Sequence, residues 1–348
     1  MMKPRPTIRD VARAAGVSTV TVSRVVADST AVKVGTKRKV LAAMRALGYQ
    51  PNAAARAMRT NSTKTIGFLV PDLRNELFAA VARAAEELLA AQGYMLFLYS
   101  SDRSTQREIN FLNQATQRGM DGLILSLCDE TDGNVMEAIG QCHVPVVIWD
   151  RDVPIDADVV FNEHAAPMRT VTKHLLDLGH RSIALISAPL CIRPGRERLR
   201  GFSLAIDAHP DKTLRPVVRN GSQSADFGYS ETLDLMASDA PPTAIIAGGN
   251  DIFHGVMKAL RSLNLRIPDD ISVVGTDDRL VSELADPPIT VIDRDMERIG
   301  RALARMLIAR LRGEQPPESI STTIESNVVL RSSTAAPGRA EKPAETFG

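Results

Sequence analysis

Apolar residues in the first fifty positions recur at helical spacing. Ile8, Val11, Ala12 and Ala15 share one face, with Thr7 placed to cap the helix and Gly16 to turn the chain after it. Ser18 can cap a second helix that buries Val22 and Val25. A third helix fits Thr36 to Leu47, with Val40, Leu41, Met44 and Leu47 apolar and Gly48 as its stop. Helices this short close a core only by packing on one another, so residues 1–50 are expected to form one small all-α module. Pro51 breaks the pattern. Asn52 to Arg59 is Ala-rich but shorter than the roughly 12–15 residues an isolated helix needs. Thr60 to Thr63 reads as linker, which makes 51–63 a hinge between two domains.

From Thr65 the period changes. Apolar, strand-like runs at Ile66–Val70, Tyr94–Tyr99, Gly122–Leu127, Val144–Trp149, Ile183–Ser187, Ala244–Ala247 and Ile271–Gly275 alternate with longer amphipathic helices, among them Glu76–Ala91, Ala165–Leu178 and Asp251–Leu263. Such alternation predicts parallel sheets with right-handed crossovers. The remaining length exceeds one sheet domain, so two lobes are expected: a first at about 64–161 and 292–320, a second at about 162–291 and 321–331. The tail 332–348, rich in Ala, Pro, Gly and charge, is expected to be disordered.

Charge sharpens this division. The chain of 348 residues has a net charge of +1, but residues 1–60 hold twelve Lys and Arg against Asp10 and Asp28. That segment is therefore +10 and the rest −9, and a folded basic module is expected to face a polyanion. The N-terminus lacks a signal-peptide apolar region, and no apolar run approaches the roughly 20 residues of a membrane span. Cys128, Cys142 and Cys191 have no metal-ligand spacing, and a reducing cytoplasm is the simplest setting. The histidines form no HxxxH pair, and GxGxxG, P-loop and GxSxG motifs are absent. No metal, cofactor or catalytic set is expected.

The run from Thr7 to Val26 resembles the headpiece of the lactose-repressor (LacI/GalR) family of bacterial transcription regulators. So does Leu47-Gly48-Tyr49-Gln50-Pro51-Asn52. The resemblance continues through Asn75-Glu76-Leu77-Phe78, Asp121-Gly122-Leu123-Ile124, Leu178-Gly179-His180-Arg181, Arg198 to Phe202, Asn250-Asp251 and Pro268 to Gly275. Each motif is modest alone, but their joint order is specific. The resemblance implies a helix-turn-helix headpiece plus a two-lobed α/β core like that of periplasmic sugar-binding proteins. It implies a homodimer on near-palindromic double-stranded operator DNA, with a small-molecule effector in the interlobe cleft.

The second helix begins at Ser18, so Thr19 and Val20 lie at its N-terminal end, which in helix-turn-helix proteins meets base edges. The resemblance makes Thr19, Val20 and Arg24 the base readers, Arg24 being suited to a bidentate grip on guanine. Thr7 and Ser18 are expected to cap helices and to lie at the DNA, and Thr21 and Ser23 fit phosphate contacts or helix capping equally well. In the hinge, Asn52, Arg56 and Met58 are expected at the DNA, with Met58 as a minor-groove wedge where the family usually has Leu. Ala27 stands where the family often has Asn.

In the core the resemblance puts effector contacts at Asp150, Arg198, Asn250 and Asp277. Asn250 and Asp277 follow strands, and strand C-terminal ends are where open α/β sheets bind ligands. Asn75, Leu77, Phe78, Arg151, Phe161, Gln223 and Met296 are expected to line the same cleft. Phe161 replaces an Asp common in the family, and Gln223 an aromatic. On residue type alone, Asp150–Arg151 and Asp277–Asp278 read as loop charges and caps. A sugar or sugar acid that releases DNA is the expected effector, with a purine-like co-repressor as the alternative. A transport binding protein explains the lobes but not the headpiece. A sugar-modifying enzyme lacks a recognisable catalytic set.

Overall fold

The structure, a computed structural model, describes residues 6–26, 31–50, 57, 60, 62–277 and 279–338, with backbone only at 279 and 280. The chain divides into two compact units, residues 1–64 and 65–348.

In the first unit, α1 (Ile8–Ala15) opens on a reciprocal capping box: Thr7 accepts from the Asp10 amide, and Asp10 accepts from the Thr7 amide at 2.9 Å. Gly16 ends it in the left-handed region, φ 64°. At the start of α2 (Thr19–Val26), Ser18 Oγ accepts from the Thr21 amide at 3.2 Å. The third helix, α3, runs Val34–Leu47 and so begins before the expected Thr36. Lys33 offers no side-chain cap, yet its carbonyl accepts from the Lys37 amide at 3.0 Å, extending the helix a turn toward the N-terminus. Val11, Ala12, Val22, Val25, Val40 and Ala43 form the shared core.

The second unit begins with β1 (Thr65–Val70), α4 (Glu76–Ala91), β2 (Met95–Ser100), α5 (Thr105–Gln117), β3 (Gly122–Leu125), α6 (Gly133–Gly140), β4 (Val146–Trp149) and β5 (Asp158–Asn162). It continues with α7 (Ala165–Asp177), β6 (Ser182–Ser187), α8 (Arg193–Asp207), β7 (Arg215–Asn220), α9 (Ala225–Met236), β8 (Ala244–Gly248), α10 (Asn250–Ser262), β9 (Ser272–Thr276), α11 (Arg279–Leu284) and β10 (Thr290–Arg294). The chain then returns through α12 (Met296–Leu311) and β11 (Ser321–Ile324) and ends in β12 (Ser326–Val329). The sheet orders are β11-β5-β4-β3-β1-β2 and β12-β10-β9-β8-β6-β7. The pairings are parallel except β10 with β12. Helices cover both faces of such sheets, so the central strands are apolar throughout rather than alternating.

Two boundaries differ from expectation. β10 stays in the second sheet as far as Arg294, and β11 pairs with β5 in the first, so the later crossings fall near 295 and 325 rather than at 292 and 321. Both segments are short enough that backbone pairing, not apolar pattern, assigns them. The tail also differs. Ser333 is 0% exposed; its hydroxyl donates to the Val273 carbonyl at 2.6 Å and accepts from the Thr290 amide at 2.8 Å. His174 reaches Thr334, and His180 reaches the Ala335 carbonyl. Residues 332–338 are thus built onto the second lobe, because small polar residues can satisfy main-chain groups at the starts of β9 and β10 without an apolar signature. Residues 339–348 lie outside the described residues.

Candidate functional site

The headpiece presents one helix in two ways. On α2, Val22 and Val25 are buried, while Ser18, Thr19 and Arg24 are exposed and Val20 is 58% exposed. Val20 is thus an apolar β-branched residue left in solvent beside Thr19 and Arg24. Thr7, Ser18 and Thr21 are engaged in capping hydrogen bonds, and Ser18 and Thr21 share one at 2.9 Å. Ser23 is half-buried. The hinge positions Asn52, Arg56 and Met58, and Ala27, lie outside the described residues.

In the core, Asp150 follows β4 and Asp277 follows β9, and both have left-handed backbones, φ 55° and 68°. Each amide donates at 2.9 Å to a carbonyl of the adjoining strand, Val160 for Asp150 and Ile292 for Asp277. Non-glycine residues in this region carry backbone strain that the surrounding structure must hold, and such strain concentrates at functional sites. The two lobes thus present equivalent carboxylates at equivalent strand ends.

These carboxylates are already gripped. Asp150 is buried and accepts from the Asn162 amide and side chain at 3.1 and 3.0 Å, pairs with His164 Nε2 at 2.8 Å, and lies 3.3 Å from Arg193 of the second lobe. Burial opposes its charge, but His164, Arg294 and Arg151 outweigh burial and hold the carboxyl well below the usual range. Burial in turn lowers the His164 pKa against the pull of Asp150. Asp277 takes a two-pronged grip from Arg294, Nε to Oδ1 at 2.6 Å and Nη2 to Oδ2.

Further contacts join the lobes. Asn75, which caps α4, exchanges amide hydrogen bonds with Asn250 at the start of α10. Arg103 donates to the Gln223 carbonyl and lies 3.6 Å from Asp251. Glu130, buried in the first lobe, accepts from the Arg193 amide at 3.1 Å and pairs with Arg196. Arg196 also reaches Asp152 at 2.9 Å.

Between the lobes lies a small cavity of about 50 Å³. It gathers the expected Asn75, Leu77, Phe78, Asp150, Arg151, Arg198, Gln223, Asn250 and Asp277. Phe161 and Met296 do not line it. Phe161 lies along β5 beneath Arg193, whose guanidinium sits 4.4 Å from its ring. Met296 begins α12 and packs on the first-lobe core. Arg103, Trp149 and Arg294 line the cavity without having been expected. Arg103, Glu130 and Arg193 follow β2, β3 and β6, so the strand-end rule that singles out Asn250 and Asp277 also reaches them. Arg294 is the last residue of β10, a strand that the apolar runs of the sequence do not mark.

Comparison with known proteins gives the class. Residues 7–52 match the model for bacterial regulatory proteins of the lacI family, and residues 172–334 match a periplasmic binding protein-like domain. The HTH-type transcriptional repressor PurR of Haemophilus influenzae (strain PittEE) is 32% identical over 307 residues, covering 88% of this chain and 91% of that one. The PurR repressor of Glaesserella parasuis serovar 5 is also 32% identical, over 94% of this chain and 98% of its own. The lac repressor dimer bound to operator and the anti-inducer ONPF superposes with a TM-score of 0.85 at 28% identity, over 96% of this chain and all of that one. A complex of the regulator CelR with cellobiose superposes at 0.68 and 29% identity, over 94% of this chain. The chain belongs to the lacI family and is a DNA-binding transcription regulator. Among the described residues no helix is long and apolar enough to cross a membrane.

Proposed function

We propose that the protein represses transcription as a homodimer on a near-palindromic operator, with affinity set by a small polar effector in the interlobe cleft. Residues 1–50 read DNA, 51–63 form the hinge, and the core from 64 senses the effector and pairs the protomers. The observation that carries this reading is the split character of α2, whose Val22 and Val25 are buried while Thr19, Val20 and Arg24 are exposed in a strongly basic unit. A single headpiece buries only about 600–1,000 Å² on DNA, and two on a twofold site double it. Pairing is supported by β2, an edge strand exposing Met95 (62%) and Phe97, and by Leu284 of α11 (76%). The effector site is supported by polar groups from both lobes converging on one cavity. A ligand touching both lobes shifts their arrangement by its differential affinity, typically 1–3 kcal/mol of coupling. A flat heteroaromatic co-repressor is the second reading, favoured by Phe78 and Trp149 in the cavity wall.

The test is selection of duplexes from random DNA by the full-length protein. Enrichment of a site with two inverted half-sites is expected. Retention without any sequence preference refutes the reading.

A further inference from the structure

Four arginines, Arg103, Arg151, Arg198 and Arg294, line the interlobe cavity, against the two carboxylates of Asp150 and Asp277. Their pairing is uneven. Arg294 holds Asp277, and Arg103 lies within 3.4 Å of Asp72 and 3.6 Å of Asp251. Asp150 is committed to Asn162, His164 and Arg193.

Arg151 and Arg198 are left with main-chain oxygens alone. Arg151 donates to the carbonyls of Leu127 at 2.6 Å and Asp150 at 2.8 Å, and Arg198 to that of Gly248 at 2.6 Å. Among the described residues, neither guanidinium has a carboxylate within ion-pair distance. Yet Arg198 is only 3% exposed, and Arg151 is buried as well. A guanidinium has five N–H donors, so both keep donors beyond those bonds. Buried cations with no hydrogen-bonded counter-charge are costly, and here two line the same cavity, where the carboxylates of Asp150, Glu130, Glu108 and Asp277 act on them only from beyond ion-pair distance.

We infer, on the reading that this cleft is the effector site, that the effector is a hydroxylated organic anion whose carboxylate or phosphate lies against Arg151 and Arg198. A neutral sugar leaves both guanidinium groups without a charged hydrogen-bond partner; an anion supplies one through charge-assisted hydrogen bonds. Burial and the nearby charge of Arg294 pull the Arg198 pKa down to about 10 although Asp277 and Asp150 act the other way, in keeping with the absence of a direct ion pair. Hydroxyls find amides at Asn75 and Asn250, and a carbon skeleton finds Leu77, Phe78 and Trp149. Arg103, Arg151 and Gln223 also line an adjoining recess of about 510 Å³, which gives the rest of such a ligand room.

Titration calorimetry and thermal shift on the full-length protein test this, with D-gluconate, D-glucuronate, D-galacturonate and glucose 6-phosphate against D-glucose, D-galactose and hypoxanthine at matched ionic strength. At least one anion should bind tenfold or more tightly than its neutral parent, and the arm that binds tells carboxylate from phosphate. R198Q and R151Q should each weaken that anion tenfold or more, with R198K recovering part of the loss. The comparison on the unaltered protein needs no variant to fold. Neutral compounds binding as tightly as the anions, or no response to any anion, overturns the inference. If a neutral compound binds and N250A removes it, the cleft reading stands and the anion inference alone fails. If an anion binds and R198Q, R151Q and N250A all leave it unchanged, both fail.

Discussion

Asn75 and Asn250 exchange hydrogen bonds through both side-chain amides, Nδ2 to Oδ1 in each direction, at 3.0 and 3.1 Å. One stands at the end of the first lobe's opening loop, the other at the head of a second-lobe helix, so the pair fastens the lobes at the cavity wall. Removing either side chain leaves the other amide without its partner. A double-mutant cycle of N75A and N250A in urea unfolding of the full-length protein is expected to give a coupling of about 1 kcal/mol. Additive effects would show that the pair carries no joint energy.

Arg24 is exposed on the same face of α2 as Val20. Arg24→Ala should cost about 1–3 kcal/mol on the selected operator and relax preference at one base position. An equal loss on every sequence identifies Arg24 as a phosphate contact instead. Binding should weaken with salt, the log–log slope growing by about −0.9 per phosphate contact in keeping with the +10 segment.

Burial lowers the pKa of His164 and of His180, the latter bonded to Thr243, Ser272 and the Ala335 carbonyl. The unfolded chain takes up protons at these positions from about pH 6.5, the folded chain only at lower pH. The unfolded state thus binds more protons below about pH 6.5, and stability should fall as the pH drops through that range. Urea midpoints at pH 7.5 and 5.5 check the sign, and His180→Gln should shrink the difference.

Ser333 bridges the Val273 carbonyl and the Thr290 amide from within the second lobe. Ser333→Ala leaves both buried main-chain groups short of a partner, at a cost of about 1–3 kcal/mol. An unchanged thermal midpoint would show that the 332–338 segment contributes nothing to the lobe.

Phe97 projects from an edge strand and Leu284 from a short surface helix. Phe97→Asp and Leu284→Lys should leave the fold intact, shift sedimentation from dimer to monomer, and weaken operator binding by uncoupling the headpieces. A dimer that survives both changes places the pairing surface elsewhere.

The sequence by itself determined the elements and the class. Helical spacing from Ile8 to Leu47, strand–helix alternation after Thr65 and the Thr7 to Val26 motif are local properties, because turn chemistry and burial period act over a few residues. The resemblance, with strand-end placement beside it, pointed to Asn250 and Asp277 as well. Tertiary structure alone decided which side chains meet. That Arg294 holds Asp277 depends on the pairing of β9 with β10, and that Arg193 crosses to Asp150 depends on contact between lobes; that Arg151 and Arg198 have no carboxylate within ion-pair distance among the described residues is likewise set only by packing. Phe161 and Met296 shared the type and region of true lining residues, and only their packing removed them from the cavity. The tail carries too little apolar surface to mark itself as structured, yet main-chain and hydroxyl groups at the starts of β9 and β10 give its polar groups their partners. Pairing across space leaves no period in the chain, and it is pairing that sets the charge of this cleft.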